Sequence, residues 1–208
     1  MLVDMHVHEK TFSSDSFLSL ETIVERARLR GLDAVCITDH DSMGLKSYAE
    51  EYSEKTGFPI FVGVEYFSLW GDITAWGIDA FPDHRDSALD FIAYVNKAKG
   101  FCAACHPFRN NNRGFEDRLS LAKGLGGVEV LNGSTDMEAN RLALRYCREL
   151  GLKAIGASDA HVLDKLACYV TYLPEKVFTL ADFVEELRTL DTSVGIWNGI
   201  SYDIVDEF

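Results

Sequence analysis

Six histidines are spread over 208 residues in a pattern suited to metal chemistry. His6 and His8 stand two apart in the apolar run Leu2-Val3-Asp4-Met5-His6-Val7-His8. Alternate side chains of a β-strand share a face, so Asp4, His6 and His8 point one way and Val3, Met5 and Val7 the other. Two neutral imidazoles on one face can hold a single cation. Further candidate ligands close other apolar runs: Thr38-Asp39-His40-Asp41, Glu65 after Gly63-Val64, His106 before Pro107, and Ser158-Asp159-Ala160-His161. Surface histidines on an edge strand are the plain alternative for His6 and His8, but their recurrence at strand ends argues against chance scatter. Only His84, after Pro82, lies in an evident loop. Imidazole and carboxylate without thiolate fit Zn, Mn or Fe. One carboxylate can bridge two ions, and ions ~3.5–4 Å apart suit in-line displacement at phosphorus or hydrolysis at a carbonyl.

The elements that must position these residues alternate along the chain. Strands are expected at Leu2–His8, Ala34–Ile37, Ile60–Val64, Ile73–Ile78, Phe101–Cys105, Gly127–Leu131 and Ala154–Ala157. Between them, Leu20, Ile23, Val24 and Ala27 keep helical spacing, with Ser19 as cap and Gly31 as stop. Leu45, Tyr48, Ala49 and Tyr52 repeat it up to Gly57, Ala88, Phe91, Ile92 and Val95 up to Gly100, and Ala139, Leu142, Ala143 and Tyr146 up to Gly151. Thr179 can cap a last helix carrying Leu180, Phe183, Val184 and Leu187. Repeated β-α units with near-continuous apolar strands imply a parallel sheet covered by helices, which binds ligands at the carboxyl ends of its strands. The residues from Asn198 onward form an acidic tail or a late edge strand.

Length predicts a single domain over residues 1–208. The formal net charge of −13 argues against a partner gripped through a basic face, so neither nucleic acid nor an anionic membrane is expected. The five cysteines, Cys36, Cys102, Cys105, Cys147 and Cys168, are odd in number and sit mostly in apolar runs, as buried free thiols of a reducing compartment do. No apolar stretch approaches the ~20 residues that span a bilayer. With a first strand expected from Leu2, a cytoplasmic location is predicted. Cys102-Ala103-Ala104-Cys105-His106 matches the haem-attachment pattern, but residues three apart on a strand face opposite sides, so neither haem nor a thioredoxin-like pair is expected.

Taken together, His6-Val7-His8, Thr38-Asp39-His40-Asp41, Gly63-Val64-Glu65, His106-Pro107 and Ser158-Asp159-Ala160-His161 resemble the PHP family (polymerase and histidinol phosphatase domains). Glu129-Val130-Leu131-Asn132-Gly133 resembles the segment associated with it. The resemblance implies an α/β fold, a distorted seven-stranded (β/α) barrel like a TIM barrel, with one to three divalent transition metals (Zn, Mn or Fe) at its C-terminal mouth. By the same resemblance His6, His8, Glu65 and Asp159 hold the first ion, Glu65 bridges to a second held with His106, and Asp15, His40 and His161 hold a third. Asp15 lies in Ser14-Asp15-Ser16 where the family has Ser-Asp-Gly. Many members carry another histidine on the strand after the bridging glutamate; Thr74 of Asp72-Ile73-Thr74-Ala75-Trp76-Gly77 stands there, which leaves the second ion short of a ligand.

Asp4 is expected to fix the tautomer of a ligand imidazole, and Asp39 or Asp41 to support the site while the other complements a helix N-terminus. Arg109, three residues past His106, has the fork that suits a pair of phosphate oxygens, with Arg113 and Asn132 as weaker candidates. The expected activity is hydrolysis of a small phosphate ester by water whose pKa is lowered towards ~7, with Arg109 neutralising the phosphoryl charge and His161 or His40 protonating the leaving oxygen. Two alternatives stand beside it: carbonyl hydrolysis of the amidohydrolase kind, and a metal-binding regulatory module without catalysis.

Overall fold

A computed structural model describes residues 1–208. Its strands form two mixed sheets. The six-stranded sheet runs, in spatial order, β11 (Tyr202–Val205), β10 (Ser193–Trp197), β9 (Tyr169–Tyr172), β1 (Leu2–Val7), β2 (Ala34–Ile37) and β3 (Ile60–Val62). The five-stranded sheet runs β4 (Val64–Phe67), β5 (Asp72–Trp76), β6 (Phe101–Ala104), β7 (Gly127–Asn132) and β8 (Lys153–Ala157). The α/β class expected from the sequence is found, but the closed seven-stranded barrel is not. The sheets touch through two isolated parallel bridges, Val7 with Ala160 and His40 with Glu65. Lower down, β9 takes the free edge of β1 in antiparallel register, Leu2 opposite Tyr172 and Val3 opposite Thr171. The Thr171 hydroxyl then bonds both the N–H and the C=O of Gly156, at 2.9 and 3.0 Å, in place of a ladder between β1 and β8.

Strand direction departs from expectation at one place that matters. β1, β2 and β3 are parallel, as are β6, β7 and β8, but β5 runs antiparallel to both β4 and β6. Its first residue therefore lies at the end of the molecule where β6 finishes, and the Cys105 N–H donates to the Asp72 carbonyl at 3.0 Å. Gly63 separates β3 from β4. A Cβ there would stand 2.4 Å from the Ala75 carbonyl oxygen and 2.6 Å from the Trp76 ring, so only glycine lets the chain pass over β5 just before Glu65.

The helices follow their apolar spacing. α1 (Leu20–Leu29) buries Leu20, Ile23, Val24 and Ala27, and Ser19 accepts the Thr22 N–H at its start. α2 (Lys46–Thr56) buries only Ala49 within the helix, leaving Tyr48 exposed to bond Glu21. α3 (Ala88–Lys97) and α5 (Leu180–Thr189) are capped by Ser87 and Thr179, and α4 (Met137–Leu150) by Asp136. In α4 the buried face is Ala139, Asn140, Ala143 and Cys147, shifted from the expected one so that the Asn140 amide reaches the backbone of Asn132. The acidic end is partly an edge strand, β11, paired antiparallel with β10. No helix is long and apolar enough to cross a membrane.

Candidate metal centre

The strand ends converge as their sequence positions require. His6 Nε2 and His8 Nε2 lie 2.9 Å apart, and both rings are buried. His6 Nδ1 donates to Glu129 Oε1 at 2.7 Å, and His8 Nδ1 lies 3.1 Å from Ser13 Oγ, which itself donates to Asp39 Oδ1 at 2.8 Å. With both Nδ1 atoms committed as donors, two Nε2 lone pairs face each other, an arrangement that needs a proton or a cation between them. Asp159 Oδ1 stands 3.6 Å from His6 Nε2 and 3.2 Å from His8 Nε2, and Glu65 Oε2 stands 3.7 and 3.6 Å from the same atoms. Ligands at ~2.0–2.2 Å around a tetrahedral ion are ~3.3–3.5 Å from one another. Donors of His6, His8 and Asp159 come close to that spacing, and Glu65 Oε2 stands near both imidazoles, so the residues fit a metal.

A second set has the same spacing. Asp15 Oδ2 lies 3.2 Å from His40 Nε2 and 3.3 Å from His161 Nε2, and the two imidazole nitrogens are 3.5 Å apart. This set is nearer solvent; Asp15 is more than half exposed. His161 Nδ1 donates to the Asp159 carbonyl at 3.1 Å, which leaves Nε2 as an acceptor. That tautomer suits a metal ligand, and a further proton on Nε2 would give the leaving-group acid expected of His161. A third grouping joins Glu65, Asp72 and His106: Glu65 Oε1 is 3.1 Å and Asp72 Oδ2 3.7 Å from His106 Nε2, all within buried residues.

The imidazoles and carboxylates of the centre shift one another's pKa values. Burial disfavours a charged His6, but Glu129, Asp159 and Glu65 outweigh it and raise its pKa well above the ordinary value. Burial dominates at His8 and brings its pKa down to about 4. Glu65 and Asp159, though buried, are held well below the carboxylate range, Glu65 by His6 and by hydrogen bonds from His106 and His40, Asp159 by His6 and His8 with His106 and Arg109. Asp72 is pushed up to about 7 by burial and by the charge of Glu65, against the pull of His106 and Arg113. Three of the seven non-glycine residues with positive φ lie here: Asp41, His106 and Asp159, at 44°, 28° and 50°, conformations that surrounding structure must impose.

Several supporting roles differ from expectation. Asp4 does not touch an imidazole; it accepts the backbone N–H groups of Ser158 and Ala167, each at 2.9 Å, because it lies a strand layer below His6. Glu129 does that work instead, also accepting from His106 N at 3.0 Å and Asn132 Nδ2 at 2.9 Å. Its burial in the middle of β7 hid it among apolar neighbours, although a lone carboxylate in Gly-Val-Glu-Val-Leu was itself a signal. Asp39 supports the site through Ser13, and burial raises its pKa to about 6. Asp41 accepts the Phe67 N–H at 2.9 Å and caps no helix, since α2 begins only at Lys46. Arg109 reaches Asp159, Asn132 Oδ1 at 2.7 Å and Thr135 Oγ1 at 3.1 Å, and Arg113 Nε bonds Asp72 Oδ2 at 2.6 Å. His84 is exposed and remote. Four of the cysteines are buried and none is paired; Cys105 lies beside His6 and Glu65.

The donors line a cavity of about 260 Å³ with no hydrophobic wall: Asp15, His40, Glu65, Asp72, His106, Arg109, Asn111, Arg113, Asp159 and His161. Imidazoles and carboxylates thus cluster where α/β folds commonly place their sites, at the carboxyl ends of strands. Residues 4–102 match the PHP domain and residues 137–192 the PHP-associated segment, and the chain belongs to the PHP family. It is 26% identical over 165 residues to the uncharacterised protein MJ1587 of Methanocaldococcus jannaschii, a match covering 74% of this chain and 96% of that one. It is 33% identical over 81 residues to the 3',5'-nucleoside bisphosphate phosphatase of Chromobacterium violaceum, covering 37% of this chain and 28% of that protein. Its fold is similar to that of a two-domain protein of Bacteroides vulgatus described as containing a predicted PHP-like metal-dependent phosphoesterase. There the TM-score is 0.73 at 23% identity, over 93% of this chain and 64% of that one.

Proposed function

We propose that residues 1–208 act as one domain, a metal-dependent phosphoesterase that hydrolyses a small phosphate ester. The observation that carries this is the meeting of His6, His8 and Asp159 donors within reach of one ion, with Glu65 beside both imidazoles and a further histidine-carboxylate set opening on the same polar cavity. Cations bound there would supply Lewis acidity toward phosphate oxygens and lower the pKa of water. Zn, Mn and Fe suit the donor set.

The chain itself does the positioning. Glu129 and the Ser13–Asp39 pair hold the His6 and His8 rings with Nε2 turned inward. Arg109 uses Nε and Nη2 on protein partners, which leaves Nη1 for a phosphoryl oxygen at the cavity wall. Arg113 and Asn111 stand on the same rim. A cavity lined only by polar groups favours a compact, highly charged substrate over an apolar one, and an acidic chain is a poor fit to nucleic acid or anionic lipid. No lysine lines the cavity, so the modified-lysine bridge of amidohydrolase-type carbonyl chemistry has no candidate here. Unpaired buried thiols fit a cytoplasmic protein.

The test is turnover of a panel of phosphorylated metabolites by metal-loaded and metal-stripped protein, with Asp159→Ala as control. Activity that needs metal and disappears in the folded variant is expected. Full activity in that variant, or no turnover of any phosphate ester with metal bound, refutes the proposal.

A further inference from the structure

Thr74, the residue expected to leave the second ion short of a ligand, cannot serve as one. It lies directly opposite Glu65 in the β4–β5 ladder, fully buried, with its hydroxyl turned 3.4 Å to the Ala103 carbonyl. Two residues earlier on the same face, and one layer nearer the cavity because β5 runs antiparallel, is Asp72. We propose that Asp72 is a metal ligand, completing with Glu65 Oε1 and His106 Nε2 a second cation site that shares Glu65 with the first. This rests on the metal-dependent reading above.

Four observations support it. Glu65 divides its oxygens: Oε2 meets His40 Nδ1 at 2.5 Å and is turned to His6 and His8, while Oε1 faces His106. Donor atoms of Glu65, Asp72 and His106 all lie within 4.8 Å of one another. Asp72 is fully buried, and its Oδ1 has no hydrogen-bond partner, although buried carboxylate oxygens are nearly always satisfied. Arg113 accounts for one oxygen only, through Nε to Oδ2. Glu65 has only imidazoles opposite it and Asp72 only Arg113 and His106, so a divalent ion can take the place of imidazole protons between these buried carboxylates. Arg113 therefore acts as a positioning residue that fixes the Asp72 rotamer. Two oxygens and one nitrogen make this set harder than the first, with its two imidazoles, and favour Mn²⁺ or Fe²⁺ over Zn²⁺.

The experiment uses the full 208-residue chain, stripped of metal and reloaded with Mn²⁺, with bound metal counted by elemental analysis and examined by electron paramagnetic resonance. The wild type is expected to show a spin-coupled pair, because the two ions share Glu65. Asp72→Asn keeps the shape of the side chain, and Asp72→Ser is a second route should the first fail to fold; circular dichroism checks both. Each is expected to bind one Mn²⁺ fewer per chain and to lose the coupled signal. His106→Gln is expected to lose the same ion, and Asp72→Asn with His106→Gln no more than either alone. Unchanged stoichiometry with an intact coupled signal in the folded Asp72 variants overturns the assignment while leaving the metal-dependent reading in place. A wild type that takes up no Mn²⁺ or Zn²⁺ at all overturns both.

Discussion

Glu129→Gln is the sharpest test of how the centre is built. Every contact of the Glu129 carboxylate is with a donor: His6 Nδ1 at 2.7 Å, the His106 N–H at 3.0 Å and Asn132 Nδ2 at 2.9 Å. Glutamine has the same shape but only one acceptor oxygen. If that oxygen serves His106 and Asn132, the new NH₂ faces His6 Nδ1. The ring must then shed its Nδ1 proton and carry it on Nε2, the atom turned to His8 and Asp159. Metal binding has to reverse that tautomer and leave a donor facing a donor. Loss of a carboxylate that orients a metal-binding imidazole costs 10–100-fold in affinity, about 1.4–2.7 kcal/mol. Easier deprotonation of His6 works in the opposite sense, since Glu129 is the chief charge raising its pKa. That offset shrinks as pH rises, so affinity is measured by competition with a chromophoric chelator at two alkaline pH values. Zinc affinity within twofold of wild type at both would refute the role given to Glu129.

Other outcomes follow from the same structure. Gly63→Ala forces a Cβ to within 2.4 Å of the Ala75 carbonyl oxygen, and backbone cannot step aside cheaply. It is expected to cost about 1–3 kcal/mol, lowering Tm by about 2–4 °C per kcal/mol; an unchanged melting curve would show that the β3–β4 crossing is looser than described. In metal-free protein, burial lowers the His40 pKa, but the hydrogen bond and charge of Glu65, with Asp15, raise it from 6.5 to about 9. Its contribution to stability is full below 6.5 and is lost as pH rises through about 9, so calorimetry should show the Tm of stripped protein falling over that window. His40→Gln should remove that component of the fall, and an identical pH profile in the variant would count against it.

The sequence alone determined a good deal. An α/β succession, most strand and helix positions, and the ends at which ligands cluster were all legible, because period-2 and period-3.6 patterns and short caps are local properties of the chain. His6, His8, His40, Glu65, His106, Asp159 and His161 do converge, since each stands at the end of an apolar run that the sheets must align, and Asp15 joins them from the polar loop after β1. Tertiary structure decided the rest. Whether β9 or β8 lies along the foot of β1 depends on pairing between residues about 170 apart, which no local pattern records, and it replaced a closed barrel with two sheets. The reversal of β5 moved Asp72 to the mouth and set Thr74 below it, although an alternating run looks the same in either direction. Burial of Glu129 beneath His6 is likewise a contact across 123 residues. Chemistry was carried by residue type and spacing, whereas partnership was carried by strand direction and register, which only the packed sheets fix.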